Sequence, residues 1–195
     1  FESNEKACAT VADIFKEGLV PSAMEFMERE ALECVQAFMG TDMQIGADVA
    51  AHLLIEFDGD DQEKLFKDAE RAAMVSERHG AGEILLAETA AEKDRLWAMR
   101  RKVGEAVKAT SIYKEEDTVV PRGALPDLLK AVKAVGSDFG FESICYGHAG
   151  DGNLHVNILK QDISDERWDQ ELPMAIRSIF KKVVDLGGTI SGEHG

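Results

Sequence analysis

The sequence is poor in cysteine, and its cysteines follow no ligand or disulfide pattern. Cys8, Cys34 and Cys145 are three in number and show no CxxC spacing. An odd count without paired spacing argues against a disulfide framework and indicates a reducing compartment. We expect a cytoplasmic protein whose three cysteines are small buried core residues.

Long apolar runs are also missing. No stretch approaches the roughly 20 apolar residues of a membrane-spanning helix, so we expect no transmembrane segment, although peripheral attachment at the inner membrane stays open for a full-length form. A signal peptide pattern is absent as well. The chain starts at Phe1 without methionine and enters a helical pattern almost at once, so we expect it to be a piece of a longer protein.

Basic residues are in the minority. The sequence has 22 Lys and Arg against 37 Asp and Glu, a formal net charge of −15. Such a surface repels polyanions, so we do not expect a nucleic-acid partner. It also disfavours an anionic small molecule unless local cations overcome the overall field. The candidate cations are Arg100, Arg101, Lys114 and a bound metal ion.

Strand and helix patterns alternate along the chain without a linker rich in Pro, Gly or Ser. With 195 residues, 45% of them apolar, the chain can bury a sizeable core. The second half predicts the order strand, helix, strand, strand, helix, strand at 118–121, 124–135, 141–148, 153–160, 165–186 and 188–192. This is the order of the ferredoxin-like split unit. We therefore expect an α+β fold over 1–195, with an antiparallel sheet and helices packed on one side.

The stretch 145–160 predicts two short strands around a glycine-rich turn. Asp151-Gly152 is a strong hairpin signal because both central residues of such a turn take positive φ. A turn at this pair would place His148 opposite His155. Directly opposed residues have Cβ atoms about 4.5–5.5 Å apart, so the two imidazoles could share one cation.

Strand alternation assigns the hairpin side chains to two faces. Tyr146 and Asn157 join the histidines on a polar face. The opposite face is predicted to lie in the core and consists of Cys145, Leu154, Val156 and Ile158.

A third metal ligand is available near the end of the sequence. Two histidines seven residues apart are by themselves more often structural than ligands. The stretch 189–195, however, is a small-residue strand that carries Glu193 and His194. Two histidines plus one carboxylate with open positions are typical of a catalytic metal site. We therefore predict His148, His155 and Glu193 as metal ligands.

Two separated motifs carry a family resemblance. Gly147-His-Ala-Gly-Asp-Gly-Asn-Leu-His-Val-Asn157, followed by Ser191-Gly-Glu-His-Gly195, resembles the C-terminal domain of FAD-linked 2-hydroxyacid oxidases and dehydrogenases. That group includes the glycolate oxidase FAD subunit, D-lactate dehydrogenases and D-2-hydroxyglutarate dehydrogenase, within the vanillyl-alcohol-oxidase-like flavoproteins. The likeness covers nearly the whole chain, because 21–28 and 95–101 also resemble family stretches.

The resemblance implies how the substrate is held. Arg100 matches the arginine that binds the substrate carboxylate, and a guanidinium fork suits a carboxylate. Lys114 resembles a lysine that binds the acidic end of the substrate, and Asn157 could hydrogen-bond the substrate. Gly104 stands where some relatives carry a hydroxyl residue. Neither the motifs nor the composition specify which 2-hydroxy acid or which electron acceptor is used.

The resemblance also implies the chemistry. The metal, zinc with manganese or iron as alternatives, would bind the substrate 2-hydroxyl and lower its pKa. His194 is then the candidate general base. The hydride would pass to FAD, which the family binds mainly on a separate N-terminal domain. The chain alone is therefore expected to hold at most a weak metal site and to show no dehydrogenase activity.

Two other classes of function stay open at this stage. A metal-dependent hydrolase could use the same three ligands to activate water and would turn over without flavin. A non-catalytic ferredoxin-like module would carry structural histidines, and metal analysis with and without His148→Ala would reveal it.

Overall fold

The computed structural model describes residues 1–41 and 45–190. The helices in these ranges are α1 (Asn4–Lys16), α2 (Arg29–Met39), α3 (Gln62–Arg78), α4 (Ala90–Thr110), α5 (Leu125–Phe139) and α6 (Asp165–Asp185). The strands are β1 (Ala23–Glu28), β2 (Ala51–Glu56), β3 (Tyr113–Val119), β4 (Glu142–Gly147) and β5 (Asn153–Leu159). None of the described helices is both long and apolar enough to cross a membrane.

Capping signals in the sequence set several helix ends. The Ser3 side chain accepts a hydrogen bond from the backbone N–H of Lys6 at the start of α1. Thr89 and Glu92 form a reciprocal capping box at the start of α4. Helix α5 is capped by Gly140, whose φ of 69° lies in the left-handed region that glycine tolerates best.

The five strands form one antiparallel sheet in the order β2-β1-β4-β5-β3. Val119 at the end of β3 also pairs with Thr189 in an isolated antiparallel bridge. This is the strand arrangement of the split unit, and it confirms the predicted α+β fold with an antiparallel sheet. Residues 191 and 192 of the last predicted strand lie outside the described ranges.

Apolar clusters cover both faces of the sheet. The larger cluster packs α1, α5 and α6 on what we call the first face, and it contains Cys145, Leu154, Val156 and Ile158, as alternation predicted. The smaller cluster joins α2 and α4 to the second face through Met27, Leu32, Val103, Val107 and Tyr146. Helices therefore occur on both faces rather than on one side as predicted, because α2 and α4 also bury apolar residues against the sheet. Helix α4 carries Arg100 to the face that bears His155.

Strand β3 is longer than the sequence suggested. A strand was predicted only at 118–121, whereas Tyr113–Val119 is a regular strand at the edge of the sheet. Its centre is Lys-Glu-Glu-Asp. These residues have low strand propensity, which hid the pattern, but charges suit an edge strand because they discourage pairing with another chain.

The connection between β4 and β5 is longer than the two-residue turn predicted at Asp151-Gly152. It contains a 3₁₀ turn, and of the predicted pair only Gly152 has a positive φ, of 76°. The strands consequently pair Tyr146 with His155, and His148 lies in the connection. The predicted register, with His148 opposite His155, is therefore wrong. The prediction used only the two turn residues, whereas the conformation of the turn also depends on the neighbouring loop against which it packs.

The same turn generates a stability prediction. A Cβ at Gly152 would lie 2.0 Å from the carbonyl oxygen of Val120, at a φ of +76°. Gly152→Ala should lower the free energy of unfolding by about 2–4 kcal/mol, because left-handed strain adds to steric overlap. Gly123→Ala is the matched control, since nothing lies within 4 Å of its added Cβ. Urea unfolding measures both variants, and equal stability would contradict this packing.

Candidate functional site

A buried carboxylate in the middle of β1 organises the second face. Glu25 is 4% exposed. Its Oε2 accepts a hydrogen bond from Nε of Arg100 on α4 at 2.7 Å. Its Oε1 lies 2.8 Å from Nδ1 of His148, in the connection after β4. One side chain thus joins three separate elements, which places the predicted anion-binding arginine beside a predicted metal ligand.

The surroundings of Glu25 keep it charged. Burial opposes ionisation, but the hydrogen bond from His148 and the charge of Arg100 outweigh it and lower the pKa of Glu25 below its ordinary value. An ionised carboxylate can only accept hydrogen bonds. Nδ1–H of His148 therefore donates a hydrogen bond to Glu25, and in the neutral ring Nε2 carries the lone pair that can bind a metal.

Three aromatic rings gather beside this carboxylate. The rings of His148 and His155 have centroids 5.7 Å apart, and those of His155 and Tyr146 lie 5.4 Å apart. The guanidinium carbon of Arg100 lies 5.4 Å from the centroid of the Tyr146 ring. The two histidines therefore meet as predicted, although the strand register does not pair them.

Carboxylates of β3 surround His155 from the edge of the sheet. Its Nδ1 lies 3.6 Å from Oδ1 of Asp117 and 3.7 Å from Oε1 of Glu115. Asp117 also accepts a hydrogen bond from Nδ2 of Asn153 at 2.6 Å. These acidic groups favour a cation beside the His155 ring, such as a bound metal ion.

The donor set of the described residues fits a divalent ion only in part. Two imidazoles about 6 Å apart, each with a carboxylate near Nδ1, suit zinc or a similar metal. Within 1–41 and 45–190, no three His, Cys, Asp or Glu side chains are grouped to hold a metal ion. The third predicted ligand, Glu193, and the predicted base, His194, lie outside the described residues.

The remaining predicted substrate residues are placed differently from one another. Asn157 lies on the second face opposite Glu115 and is completely buried, and its amide hydrogen-bonds the Tyr146 hydroxyl. Lys114 pairs in the register with Ile158, so it lies on the first face and forms an ion pair with Glu116 at 3.2 Å. The structure therefore does not bring Lys114 to the site.

Glu25 and the contact between Tyr146 and Gly104 were not identified from the sequence. A charged residue inside the apolar strand 23–27 was the available signal, because Glu is almost never fully buried unless it is paired. Gly104 lies on α4 where a Cβ would be 3.3 Å from the Tyr146 hydroxyl. Burial, and then the charge of Glu115, raise the pKa of this phenol, so it stays a neutral hydrogen-bonding group.

A separate groove lies farther along the second face. It has a volume of about 760 Å³ and is lined by residues of α2, the end of α4 and the far ends of β4 and β5. Glu25, Arg100, His148 and His155 do not contribute to its lining. The groove is therefore distinct from the candidate site.

The fold and the site define an α+β domain whose second face brings together one guanidinium and two imidazoles. Comparison with known proteins gives the family. The chain belongs to the family of FAD linked oxidases, C-terminal domain, whose model matches residues 1–195.

Curated relatives match along the whole chain or nearly so. A D-lactate dehydrogenase of Anaerostipes hadrus is 34% identical over 100% of this chain and 42% of that protein. Glycolate oxidase subunit GlcD of Bacillus subtilis is 32% identical over 100% and 41%. A D-2-hydroxyglutarate dehydrogenase of Stutzerimonas stutzeri is 29% identical over 95% and 40%. The chain thus spans about two fifths of the length of these relatives.

A solved structure shares the fold. Alkyldihydroxyacetonephosphate synthase aligns with a TM-score of 0.60, covering 98% of this chain and 39% of that one. The sequence identity is 12%, so this likeness concerns the fold alone.

The ion pair between Arg100 and Glu25 generates a pH-dependent prediction. Their side chains are 12% and 6% exposed, so Arg100→Leu leaves a buried carboxylate without its cation and should cost about 3–5 kcal/mol of unfolding free energy near pH 7. The pKa of Glu25 is lowered from 4.5. The contribution of the pair is therefore present above that pH and is lost as the pH falls through the lower folded value.

Urea unfolding at neutral pH and at pH about 3 measures this effect. Lys93→Leu is the control, because Lys93 is 54% exposed where it pairs with Glu56 and should contribute at most about 1 kcal/mol. The buried pair would be contradicted if Arg100→Leu lowered the free energy of unfolding as little as the control does. It would also be contradicted if that decrease were equally large in acid.

Proposed function

We propose that the full-length protein is an FAD-dependent oxidoreductase that oxidises a D-2-hydroxy acid to the 2-oxo acid, and that this chain is its substrate-binding domain. Glycolate, D-lactate and D-2-hydroxyglutarate represent the substrate class, since relatives named for these acids match the chain. The observation that carries the proposal is the position of Arg100 beside His148 and His155 on one face of the sheet.

Arg100 binds the substrate carboxylate in this proposal. Its Nε–H is taken by Glu25 at 2.7 Å, and the Nη groups form no ion pair or hydrogen bond within the described residues. The edge of the guanidinium that carries both Nη atoms can therefore donate two parallel hydrogen bonds to a carboxylate. The Tyr146 hydroxyl lies on the same face and orients the rest of the acid, and the buried Asn157 amide positions that hydroxyl through its hydrogen bond.

The histidines are proposed to hold a metal ion beside the reacting alcohol. His148, His155 and Glu193 are the proposed ligands of a divalent metal, with zinc expected first and manganese or iron as alternatives. When bound, that metal supplies Lewis acidity to the 2-hydroxyl. His194 takes the hydroxyl proton as the C2–H bond breaks and the carbonyl forms. FAD, which another domain of the full-length chain would mainly bind, would supply the hydride acceptor.

Family membership favours this proposal over the two alternatives. A hydrolase would need no flavin, whereas the family is that of FAD linked oxidases. A non-catalytic module would not require a buried carboxylate that joins an arginine to a histidine. The formal charge of −15 argues against nucleic acid as a partner, and we place the protein in the cytoplasm or peripherally at the inner membrane.

Dye-linked oxidation of the three acids tests the proposed activity. The full-length flavoprotein should oxidise at least one of them, and Arg100→Lys should raise its KM about 10- to 100-fold, because an ammonium cannot donate the paired bonds. The 195-residue chain, even with added FAD, should show no turnover, because residues 1–195 match the C-terminal domain and the proposal assigns FAD mainly to another domain. Turnover by this chain alone, or no oxidation by the full-length protein, would refute the proposal.

Gly104 generates a prediction about substrate choice. A side chain at 104 must displace the Tyr146 hydroxyl, which lies 3.3 Å from the Cβ position. Gly104→Thr should therefore alter the ratio of kcat/KM between D-lactate and D-2-hydroxyglutarate by about tenfold. Ala109→Thr, on the exposed part of the same helix, is the matched control. An unchanged ratio in Gly104→Thr would show that Tyr146 does not contact the variable end of the substrate.

A further inference from the structure

Each carboxylate oxygen of Glu25 accepts a hydrogen bond from a different functional group. Oε2 accepts the Nε–H of Arg100 at 2.7 Å, and Oε1 accepts the Nδ1–H of His148 at 2.8 Å. We propose that Glu25 is a positioning residue that couples the carboxylate-binding arginine to the metal-binding histidine. This inference rests on the proposed function for the roles of Arg100 and His148, but its geometry does not depend on turnover.

The hydrogen bond to Arg100 selects which edge of the guanidinium meets the substrate. With Nε occupied by Glu25, the edge that carries the two Nη atoms is the one presented to a substrate carboxylate. The Tyr146 ring, 5.4 Å from the guanidinium carbon, limits the tilt of the plane. Arg100 is thereby held in one orientation before substrate binds, which reduces the entropy lost on binding.

The hydrogen bond to His148 selects the tautomer of a metal ligand. A carboxylate at Nδ1 keeps the proton there and leaves the lone pair on Nε2, as in carboxylate–histidine–metal arrangements. The His148 side chain is 40% exposed, whereas the Glu25 side chain is 6% exposed. The partly exposed ring of His148 is therefore held in its orientation by the buried carboxylate of Glu25.

A side chain with only one acceptor atom cannot accept both of these hydrogen bonds. Glu25 lies on β1, Arg100 on α4 and His148 after β4, so these contacts link elements distant in sequence. An amide at position 25 has one acceptor oxygen and one donor NH₂. Its oxygen is expected to face the cationic Arg100, which turns the NH₂ toward Nδ1 of His148. That ring must then accept at Nδ1 and carry its proton on Nε2, where it can no longer bind a metal.

The test compares Glu25→Gln and Glu25→Asp in the full-length protein with Glu56→Gln. Glu56 is the matched control, because it lies on the adjacent strand and accepts hydrogen bonds from Lys93 and Trp97 outside the site. Zn²⁺ and Mn²⁺ affinities are measured by calorimetry on metal-free protein. The His148 tautomer is read from ¹⁵N shifts of histidine-labelled protein, and thermal unfolding verifies that each variant folds.

Glu25→Gln should weaken metal binding about 10- to 100-fold and move the His148 proton to Nε2. Glu25→Asp keeps two acceptor oxygens and should retain the tautomer and recover part of the affinity, whereas Glu56→Gln should match the wild type. A folded Glu25→Gln with wild-type affinity and tautomer would overturn the inference, as would a wild type that binds neither ion. If these shifts occur but no hydroxy acid is oxidised, the positioning role stands and the proposed activity fails.

Discussion

A carboxylate inside an apolar strand is the constraint on which the site depends. Glu25 is buried in the sheet, and a buried charge is tolerated only when it is paired and hydrogen-bonded. The partners that meet this requirement, Arg100 and His148, come from a helix and a connection far away in sequence. Pairing the charge therefore also fixes where α4 and the connection after β4 lie relative to β1, and the functional groups are gathered as a consequence.

Strand β1 carries a second buried carboxylate, and the two carboxylates differ in the residues that they contact. Glu28 is completely buried, and its Oε1 accepts hydrogen bonds from Nζ of Lys133 and the backbone N–H of Cys145, both at 2.7 Å. Burial raises the pKa of Glu28 to about 7. Its partners are a lysine of α5 and the backbone of β4. Glu25 instead contacts His148 and Arg100, so it is this carboxylate that touches the residues of the candidate site.

Particular residues show how far sequence reasoning reaches. The convergence of His148 and His155 followed from their place in a glycine-rich hairpin, yet the predicted register was wrong because the turn packs against Val120. The faces of Cys145 and Tyr146 followed from strand alternation alone. Lys114 was grouped with the site by resemblance, and the pairing of β3 with β5 instead places it on the first face. The face on which a residue lies within one strand was therefore predictable. The contacts that it makes with other strands and helices were less predictable.

By itself, the sequence determined the element order, the apolar faces and the candidate residues for binding an anion or a metal, because these depend on local periodicity and side-chain chemistry. Only the tertiary structure decided that Glu25 lies between Arg100 and His148, and that Gly104 leaves room for the Tyr146 hydroxyl. Such contacts join residues up to 123 positions apart. They arise from the packing of α4 and the sheet, which no local pattern encodes.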